Sequence, residues 1–322
     1  MRLLADRGAE LRARGIVWRI SGIASRRLGW IADPAGLDGA LLAGNQPVLA
    51  ANFPAALRNS TDVRQWLHAA EADVLFEASS LNVESGQPAV DHIRAALEHG
   101  AHAITANKGP IIYAYDELRQ LAVAKKKRFL FESTVMDGVP IFSLFRDNLP
   151  AIHLRGFHGI LNSTTNIILA GMEEGLSFDA ALGKAQEIGV AEADASHDID
   201  GWDAAVKVAA LVTVLMGERL SLRDVQREGI GNLSGKQVRA ARASGAPFRL
   251  VCRARRTGQG VTATVAPEQV PLSDPMARVA GTSSIVYFET DIFPGLCIVE
   301  ENPGMHATAY GMLADFIKAV ET

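Results

Sequence analysis

Acidic residues crowd the stretch AEADASHDIDGWDAAVKVAA at positions 191–210, and a single lysine follows them. The carboxylates are Glu192, Asp194, Asp198, Asp200 and Asp203. Lys207 comes four residues after Asp203, so in a helix the two side chains share a face. Residues 204–217 are otherwise apolar apart from Thr213, which is typical of a buried helix. A desolvated lysine beside carboxylates is a common way to tune a proton-transfer group, and a purely structural ion pair has the same pattern.

The same pattern predicts the two ends of this helix. Asp200 is expected to act as the N-cap, with Asp203 at the capping-box position, and Gly217 as the C-cap. Inside the helix, Lys207 must either extend its ammonium to solvent or pair with an acid.

Two further segments place cations where a strand is expected to end. In TANKGP (105–110), Lys108 is either solvated, as strand-end lysines usually are, or directed at a ligand. In SRR (25–27), a serine and arginines follow a strand at the position where dinucleotide folds contact the adenosine ribose. Ser25 and Arg26 would favour the 2′-phosphate of NADP over NAD, although loop arginines are more often a plain surface feature.

Composition limits the class of protein. The chain has 322 residues, 48% of them hydrophobic and 21% charged, with a net charge of −4, which fits a soluble protein of two domains. The slight acidity argues against a nucleic-acid or membrane partner. No apolar run reaches membrane-spanning length, and Cys252 and Cys297 form no metal or disulfide pattern, so we expect a reducing, cytoplasmic location.

The first 135 residues alternate between predicted helices and strands. The strands are expected at 16–25, 72–80, 101–105 and 128–134, and the helices at 1–14, 63–71, 87–100 and 116–127. Short strands linked by helices predict a parallel sheet, in which ligands bind beyond the carboxyl ends of the strands.

The pattern then changes to a mixed α+β arrangement. A strand is predicted at 153–161, helices at 164–174, 178–188 and 203–217, antiparallel strands at 247–254, 261–266 and 283–290, and a last helix at 307–320. The run NSTTN (162–166) is interpreted as a helix N-cap. We therefore predict an α/β protein with a nucleotide-binding domain at 1–140, a substrate-binding and dimerisation domain at 141–300, and a C-terminal helix at 301–322 that returns to the first domain.

Taken together, several segments resemble homoserine dehydrogenase. They are TANKGP, ESTVMDGVPIF, GILNSTTNIIL, EEGLSFDAALGKAQEIGVAEAD, DIDGWDAAVKVAAL and GTSSIVYFETD. The match runs in order over nearly the whole chain and is most specific over 159–211. The resemblance implies a Rossmann-like fold, reversible NAD(P)-dependent interconversion of L-homoserine and L-aspartate 4-semialdehyde in threonine and methionine biosynthesis, and a homodimer.

The resemblance also implies roles for the acids and lysines. Lys207 would give a proton to the substrate oxygen and take it back, and Asp203 would orient it. Glu192 would hold the homoserine ammonium, with Asp198 a second substrate-binding acid. Lys108 would lie near the nicotinamide and the substrate. We expect burial and a second cation to lower the pKa of Lys207 toward neutrality.

For the cofactor, the resemblance implies contacts with Ala78, Ser79, Lys108, Gly189 and Gly304, in addition to Ser25 and Arg26. The loop 132–139 resembles the family's monovalent-cation loop, which implies carbonyl ligands at Glu132, Val135, Asp137 and Val139.

The sequence departs from the family pattern at its start, in two loops, and at Ser163, where the family usually has glycine. The first strand and its G-x-G-x-x-G turn are absent, and residues 1–14 resemble the helix that follows them, so we expect a sheet without that strand and weak dinucleotide binding. The loops at 134–138 and 302–306 also differ. They leave open a same-fold dehydrogenase for another small hydroxy acid, or a non-catalytic protein that has lost its cofactor.

Overall fold

The computed structural model describes residues 1–44 and 48–321 and divides them into two compact units. Unit 1 comprises Met1–Thr134 together with the chain from His306 onward, and unit 2 comprises Val135–Met305. Within the described residues, no helix is long and apolar enough to cross a membrane.

The helices, in chain order, are α1 (Arg2–Asp6), α2 (Gly8–Ala13), α3 (Gly39–Ala43), α4 (Val63–Ala70), α5 (Ala89–His99), α6 (Gly109–Ala124), α7 (Ile141–Ser143), α8 (Ser163–Glu173), α9 (Phe178–Glu187), α10 (Ser196–Ile199), α11 (Trp202–Leu211), α12 (Gly235–Ala243) and α13 (Met305–Val320). Single 3₁₀ turns lie at 50–52, 55–58, 132–134, 222–224 and 275–278, and π-helical turns at 144–148 and 212–216.

The strands are β1 (Gly22–Ser25), β2 (Gly29–Ala32), β3 (Val74–Glu77), β4 (His102–Thr105), β5 (Phe129–Leu130), β6 (Leu154–Ile160), β7 (Val225–Arg227), β8 (Phe248–Thr257), β9 (Gly260–Gln269), β10 (Ser284–Thr290) and β11 (Leu296–Glu300). The elements that were not predicted are the strands β2, β7 and β11 and the helices α3, α7, α10 and α12.

A parallel sheet in the order β3-β4-β5 forms the centre of unit 1. Helices α5 and α6 connect its strands, as predicted for residues 72–134. On α5, Ile93, Ala96 and Leu97 have no solvent exposure, and their i, i+3, i+4 spacing gives the helix one apolar face. Because β3 and β4 run parallel, both end at the same edge of the sheet, where Glu77 lies opposite Thr105.

The strand predicted at 16–25 is wrong as a member of this sheet. Only Gly22–Ser25 of this stretch forms a strand, and it pairs antiparallel with β2 in a separate two-stranded sheet. The Ser25 hydroxyl accepts from the Leu28 amide at 3.1 Å, and Gly29 has a φ of +70°. Such a short turn joins antiparallel neighbours, whereas a parallel pair needs a long crossover.

Two predicted helices have other bounds. The predicted helix at 1–14 is split at Arg7 into α1 and α2. Helix α6 begins seven residues earlier than predicted, at Gly109, because the Asn107 side chain accepts from the Gly109 amide at 2.8 Å and Pro110 occupies the first turn. The last helix, α13, places Leu313 and Phe316 against Leu4 and Ile104 in one apolar cluster.

Unit 2 contains a six-stranded sheet in the order β11-β10-β6-β8-β9-β7. The antiparallel pairing of β8 with β9, and of β10 with β6, confirms the predicted antiparallel strands. Helices α8, α11 and α12 pack against β8. A side chain at Gly159 of β6 would collide with the Ile285 carbonyl, so this position requires glycine for close strand approach.

Candidate active site

Lys207 is held inside unit 2 by two contacts. Its Nζ donates to the Leu161 carbonyl at 2.5 Å and lies 3.1 Å from Oδ2 of Asp203. The two side chains are 16% and 22% exposed. The lysine therefore pairs with an acid inside the protein and does not extend to solvent, and the predicted i, i+4 pair is confirmed.

The start of α11 differs from the prediction. Gly201, with a φ of 78°, is the N-cap, and Asp200 belongs to the end of α10, where its amide donates to Ser196. Asp200 as the N-cap is therefore wrong, because the reversal between the two helices needs a left-handed residue that glycine adopts freely. Gly217, with a φ of 68°, ends the helical stretch as predicted, after one widened π-helical turn.

Asn162 connects two of the acids, Asp198 and Asp203. Its Nδ2 donates to Oδ1 of Asp198 at 2.6 Å and to Oδ2 of Asp203 at 3.1 Å. Its Oδ1 caps α8 through the Thr165 amide at 2.9 Å, which confirms the N-cap interpretation of this segment. Thr164 Oγ1 donates to the other oxygen of Asp198 at 2.9 Å. The sequence indicated the cap but not the bridge, because Asp198 and Asp203 lie far along the chain.

The charges in this cluster act against the predicted pKa of the lysine. Burial, the largest effect, lowers the pKa of Lys207, but the charges of Asp203, Asp198 and Asp137 together raise it above its ordinary value. The prediction of a lowered pKa is therefore wrong: nearby carboxylates outweigh desolvation. The pKa of Asp198 is raised by its burial and by the charge of Asp203, and hydrogen bonds from Asn162 and Thr164 oppose the shift.

Glu300 is a carboxylate near this cluster that sequence reasoning missed. It ends β11 opposite Ser284 of β10, and the neighbouring register pairs Ile285 with Ile160, one residue before Leu161. Its Oε2 is buried, with no hydrogen-bond partner among the described residues. Burial and the charge of Asp137 raise the pKa of Glu300 to about 7, and Lys207 opposes the shift. A half-buried acid at a strand end has no local sequence signal.

Glu192 is not brought into the Lys207 cluster within unit 2. Its side chain is exposed, and the hydrogen bond that it receives from Gln186 Nε2, at 3.1 Å, is to its backbone carbonyl and not to its carboxylate. No hydrogen bond or ion pair among the described residues joins its carboxylate to Lys207 or Asp198. Gly189 has a φ of +74°, a backbone conformation that favours glycine. A Cβ added at Gly189 or at Gly304 would meet no described atom within 4 Å, so neither position requires glycine for lack of space.

The carboxyl edge of the unit 1 sheet brings together the predicted cofactor residues Ala78, Ser79 and Lys108. Ala78 and Ser79 follow β3, and Lys108 follows β4 at the N-terminus of the 16-residue helix α6. Ser79 Oγ is buried and has no hydrogen-bond partner among the described residues. An unpartnered hydroxyl beside a helix N-terminus fits a phosphate or ribose of a dinucleotide.

Ser25 and Arg26 lie elsewhere. Both are exposed at the turn of the β1–β2 hairpin, outside the parallel sheet. They follow β1, which pairs with β2 and is not a strand of that sheet, so their predicted position is wrong, and their contact with a ribose stays a prediction.

The predicted cation-loop residues have the following contacts. Glu132 is buried, and its amide donates to Oδ2 of Asp315 at 2.8 Å. In the following turn, the Val139 amide donates to the Met136 carbonyl, and the Val139 carbonyl accepts from Ile141, both at 2.8 Å. Asp137 adopts a φ of 44°. Across residues 1–44 and 48–321, no group of three or more His, Cys, Asp or Glu residues could hold a metal ion. Cation binding by the carbonyls of Glu132, Val135, Asp137 and Val139 stays a prediction.

Two family models match this chain, one over its N-terminal part and one over the rest. The family model described as homoserine dehydrogenase matches residues 140–317, and that of the homoserine dehydrogenase NAD-binding domain matches residues 3–132. An NAD(+)-dependent homoserine dehydrogenase of Pseudomonas canavaninivorans is 33% identical over 98% of this chain and 90% of its own. The homoserine dehydrogenase of Methanocaldococcus jannaschii is 34% identical over 83% of this chain and 78% of its own.

Solved structures agree. The crystal structure of a homoserine dehydrogenase from Thiobacillus denitrificans has a TM-score of 0.81 and 29% identity, covering 99% of this chain and 69% of its own. A hyperthermophilic archaeal homoserine dehydrogenase in complex with NADPH has a TM-score of 0.81 and 27% identity, covering 99% of this chain and 93% of its own. The chain therefore belongs to the homoserine dehydrogenase family.

Proposed function

We propose that this chain catalyses the NAD(P)-dependent interconversion of L-homoserine and L-aspartate 4-semialdehyde. Within the family assignment, the observation that carries the proposal is the buried Lys207–Asp203 pair at 3.1 Å, linked through Asn162 to Asp198. A purely structural ion pair would not need a second buried acid beside it, because burial and the charge of Asp203 raise the pKa of Asp198 and so make its ionisation costly.

Lys207 moves the proton of the reaction. The nicotinamide, when bound, supplies or accepts the hydride. In the direction of reduction, the Lys207 ammonium donates its proton to the oxygen of the aldehyde as the carbon gains hydrogen. Its raised pKa keeps the ammonium protonated at neutral pH, which favours this direction. In the direction of oxidation, Lys207 must first lose a proton, so the rate should rise as pH increases.

The neighbouring acids orient the lysine and the substrate. Asp203 holds Nζ directly, and the Asn162 amide fixes Asp203 and Asp198 relative to each other. We assign Asp198 to the substrate hydroxyl or ammonium and Glu192 to the ammonium, following the family pattern. Exposed in unit 2, Glu192 is free to meet a ligand.

Within unit 1, the cofactor would be held by Ala78, Ser79 and Lys108 at the edge of the sheet. Contacts of Gly189 and Gly304 with the cofactor stay predictions from the family resemblance. Relatives named as NAD(+)-dependent and as bound to NADPH support either dinucleotide. The strength of dinucleotide binding stays a prediction.

Assembly and location are also proposals. A homodimer through the unit 2 sheet is supported by apolar side chains on its edge strand, where Val299 is 50% exposed. A cytoplasmic location is supported by the exposed, unpaired thiol of Cys297, which would be oxidised readily outside a reducing compartment.

The function is tested by following absorbance at 340 nm with the purified chain, L-homoserine and either NAD or NADP. We expect reduction of the dinucleotide that depends on homoserine. If the chain reduces the dinucleotide with another small hydroxy acid but not with homoserine, the substrate assignment is wrong. If no hydroxy acid supports reduction although the folded chain binds dinucleotide, a non-catalytic role replaces it.

A further inference from the structure

We propose that Glu77 is the positioning residue of the dinucleotide site: its buried carboxylate fixes the loop after β3 so that the Ser79 hydroxyl meets the bound cofactor. The inference rests on the proposed function for the identity of the ligand. It concerns a residue to which the family resemblance assigns no role.

Glu77 is the last residue of β3 and only 3% exposed. Its Oε1 accepts from the Ser79 amide at 2.8 Å, and its Oε2 accepts from the Thr105 hydroxyl at 2.8 Å. His92 Nδ1 on α5 lies 3.7 Å from Oε1. One carboxylate therefore connects the loop after β3, the end of β4 and the helix between them.

The network continues to the other strand end. Thr105 Oγ1 accepts from the Asn107 amide at 2.9 Å, and Asn107 Nδ2 donates back to the Ser79 carbonyl at 2.9 Å. Asn107 Oδ1 accepts from the Gly109 amide at 2.8 Å, at the start of α6. The Ser79 backbone is thus held on both sides, and the same contacts set the N-terminus of the helix beside it.

Within this network the exception is Ser79 Oγ. The hydroxyl is buried and makes no hydrogen bond of normal geometry among the described residues, although it is near enough to the Glu77 carboxylate to contribute to its lowered pKa. The backbone amide and carbonyl of the same residue are both bonded. A buried hydroxyl without a well-formed hydrogen bond costs free energy, so a loop held this rigidly around one is explained by a ligand that completes it. Phosphate and ribose oxygens are acceptors of the required kind.

The charge state of Glu77 fits this role. Burial alone would raise the pKa of Glu77, but its polar contacts with His92, Ser79 and Thr105, including the hydrogen bonds from the Ser79 amide and the Thr105 hydroxyl, outweigh burial and lower it. Glu77 is therefore an acceptor-only carboxylate at neutral pH, and its two oxygens receive two different donors. Glutamine has one acceptor oxygen, so Glu77→Gln must turn an amide N–H toward Ser79 or Thr105.

The experiment measures dinucleotide binding without turnover. Titrations of NADH and NADPH, followed by fluorescence and calorimetry, compare the parent chain with Glu77→Gln, Thr105→Val and Ser79→Ala. Glu84→Gln is the matched control, because Glu84 is an exposed acid in the same β3–α5 connection. We expect Kd to rise about 10-fold for Glu77→Gln and about 3-fold to 10-fold for the other two variants, with Glu84→Gln unchanged.

Steady-state kinetics separates positioning from general damage. Glu77→Gln should raise KM for the dinucleotide by about the same factor and leave KM for homoserine and kcat within about 2-fold, since unit 2 is untouched. Unchanged Kd in folded Glu77→Gln, or equal losses in both KM values, would overturn the proposal. If Glu77→Gln does not fold, Thr105→Val and Ser79→Ala decide, and unchanged Kd in both overturns it.

The parent chain distinguishes this inference from the proposed function. If it binds dinucleotide but does not oxidise homoserine, only the function is wrong, and the Kd comparison still tests Glu77. If it binds neither NADH nor NADPH, both proposals fall.

Discussion

Replacing Lys207 by methionine removes the ammonium and keeps an unbranched side chain of high helix propensity in an apolar helix. The variant loses the contacts with Asp203 and with the Leu161 carbonyl. Two consequences should be separable: one for the reaction and one for stability.

The catalytic loss follows from the missing proton donor, and general acid–base groups typically contribute about 10²–10⁴-fold to kcat. The stability loss follows from the burial of the pair. An exposed i, i+4 pair contributes about 0.3–0.5 kcal/mol, whereas breaking a buried pair costs about 3–5 kcal/mol. With side chains 16% and 22% exposed, the Lys207–Asp203 pair lies nearer the buried limit. We therefore expect Lys207→Met to lower the free energy of unfolding by about 2–3 kcal/mol.

A double-mutant cycle tests this reasoning. Adding Asp203→Asn removes the uncompensated charge, so Lys207→Met/Asp203→Asn should recover most of the stability and none of the activity. Urea unfolding gives the stabilities, and homoserine oxidation gives kcat. A Lys207→Met variant with kcat within 10-fold of the parent would refute the catalytic role. A double variant less stable than Lys207→Met would refute the charge argument.

The same pair has a defined pH dependence. The pKa of Lys207 is raised above 10.5 in the folded chain, so its contribution to stability is fully present below that value and is lost as pH rises through the folded pKa. The stability difference between the parent and Lys207→Met should therefore stay constant from pH 7 to 9 and shrink above about pH 10.5.

Three other substitutions test the acids around the site. Because the folded pKa of Asp198 is raised, its ionisation opposes folding above its ordinary pKa. The amide of Asp198→Asn can still pair with Asn162 and Thr164, so this variant should keep or raise Tm at pH 7 while its kcat/KM falls. Glu300→Gln should flatten whatever pH dependence kcat/KM shows between about pH 6 and 8, since the pKa of Glu300 is about 7, and an unchanged profile would exclude its ionisation from the reaction. Glu192→Gln should raise KM for homoserine about 10-fold to 100-fold and leave the dinucleotide Kd unchanged; calorimetry showing equal homoserine affinity would remove Glu192 from the ammonium site.

Features that depend on neighbouring residues were predicted well from sequence. The Lys207–Asp203 pair follows from i, i+4 spacing, and the parallel strands 74–77 and 102–105 follow from apolar runs separated by an amphipathic helix. The β1–β2 hairpin was not predicted although its signal is local: Gly29 in SRRLG is a turn residue, and the apolar residues 30–32 follow it as a second short strand.

Features set by residues distant in sequence could not be predicted. The sign of the Lys207 pKa shift depends on the summed charges of Asp203, Asp198 and Asp137, the last of which lies on a loop 70 residues earlier. Glu300 approaches the site only because β11 pairs with β10, and β11 has no distinctive pattern of its own. A spacing rule therefore identified the pair and misjudged its electrostatics.

The three hydrogen-bond partners of the Asn162 side chain explain why this position holds asparagine. The side chain at this position must accept from the Thr165 amide and donate to two carboxylates, and it is 3% exposed. Aspartate would add a third anion beside two, and its ionisation would be costly at this depth. Serine has one hydroxyl hydrogen and could satisfy only one of the acids. An amide is neutral and carries two donors and an acceptor, so it meets all three demands without changing the charge that holds Lys207.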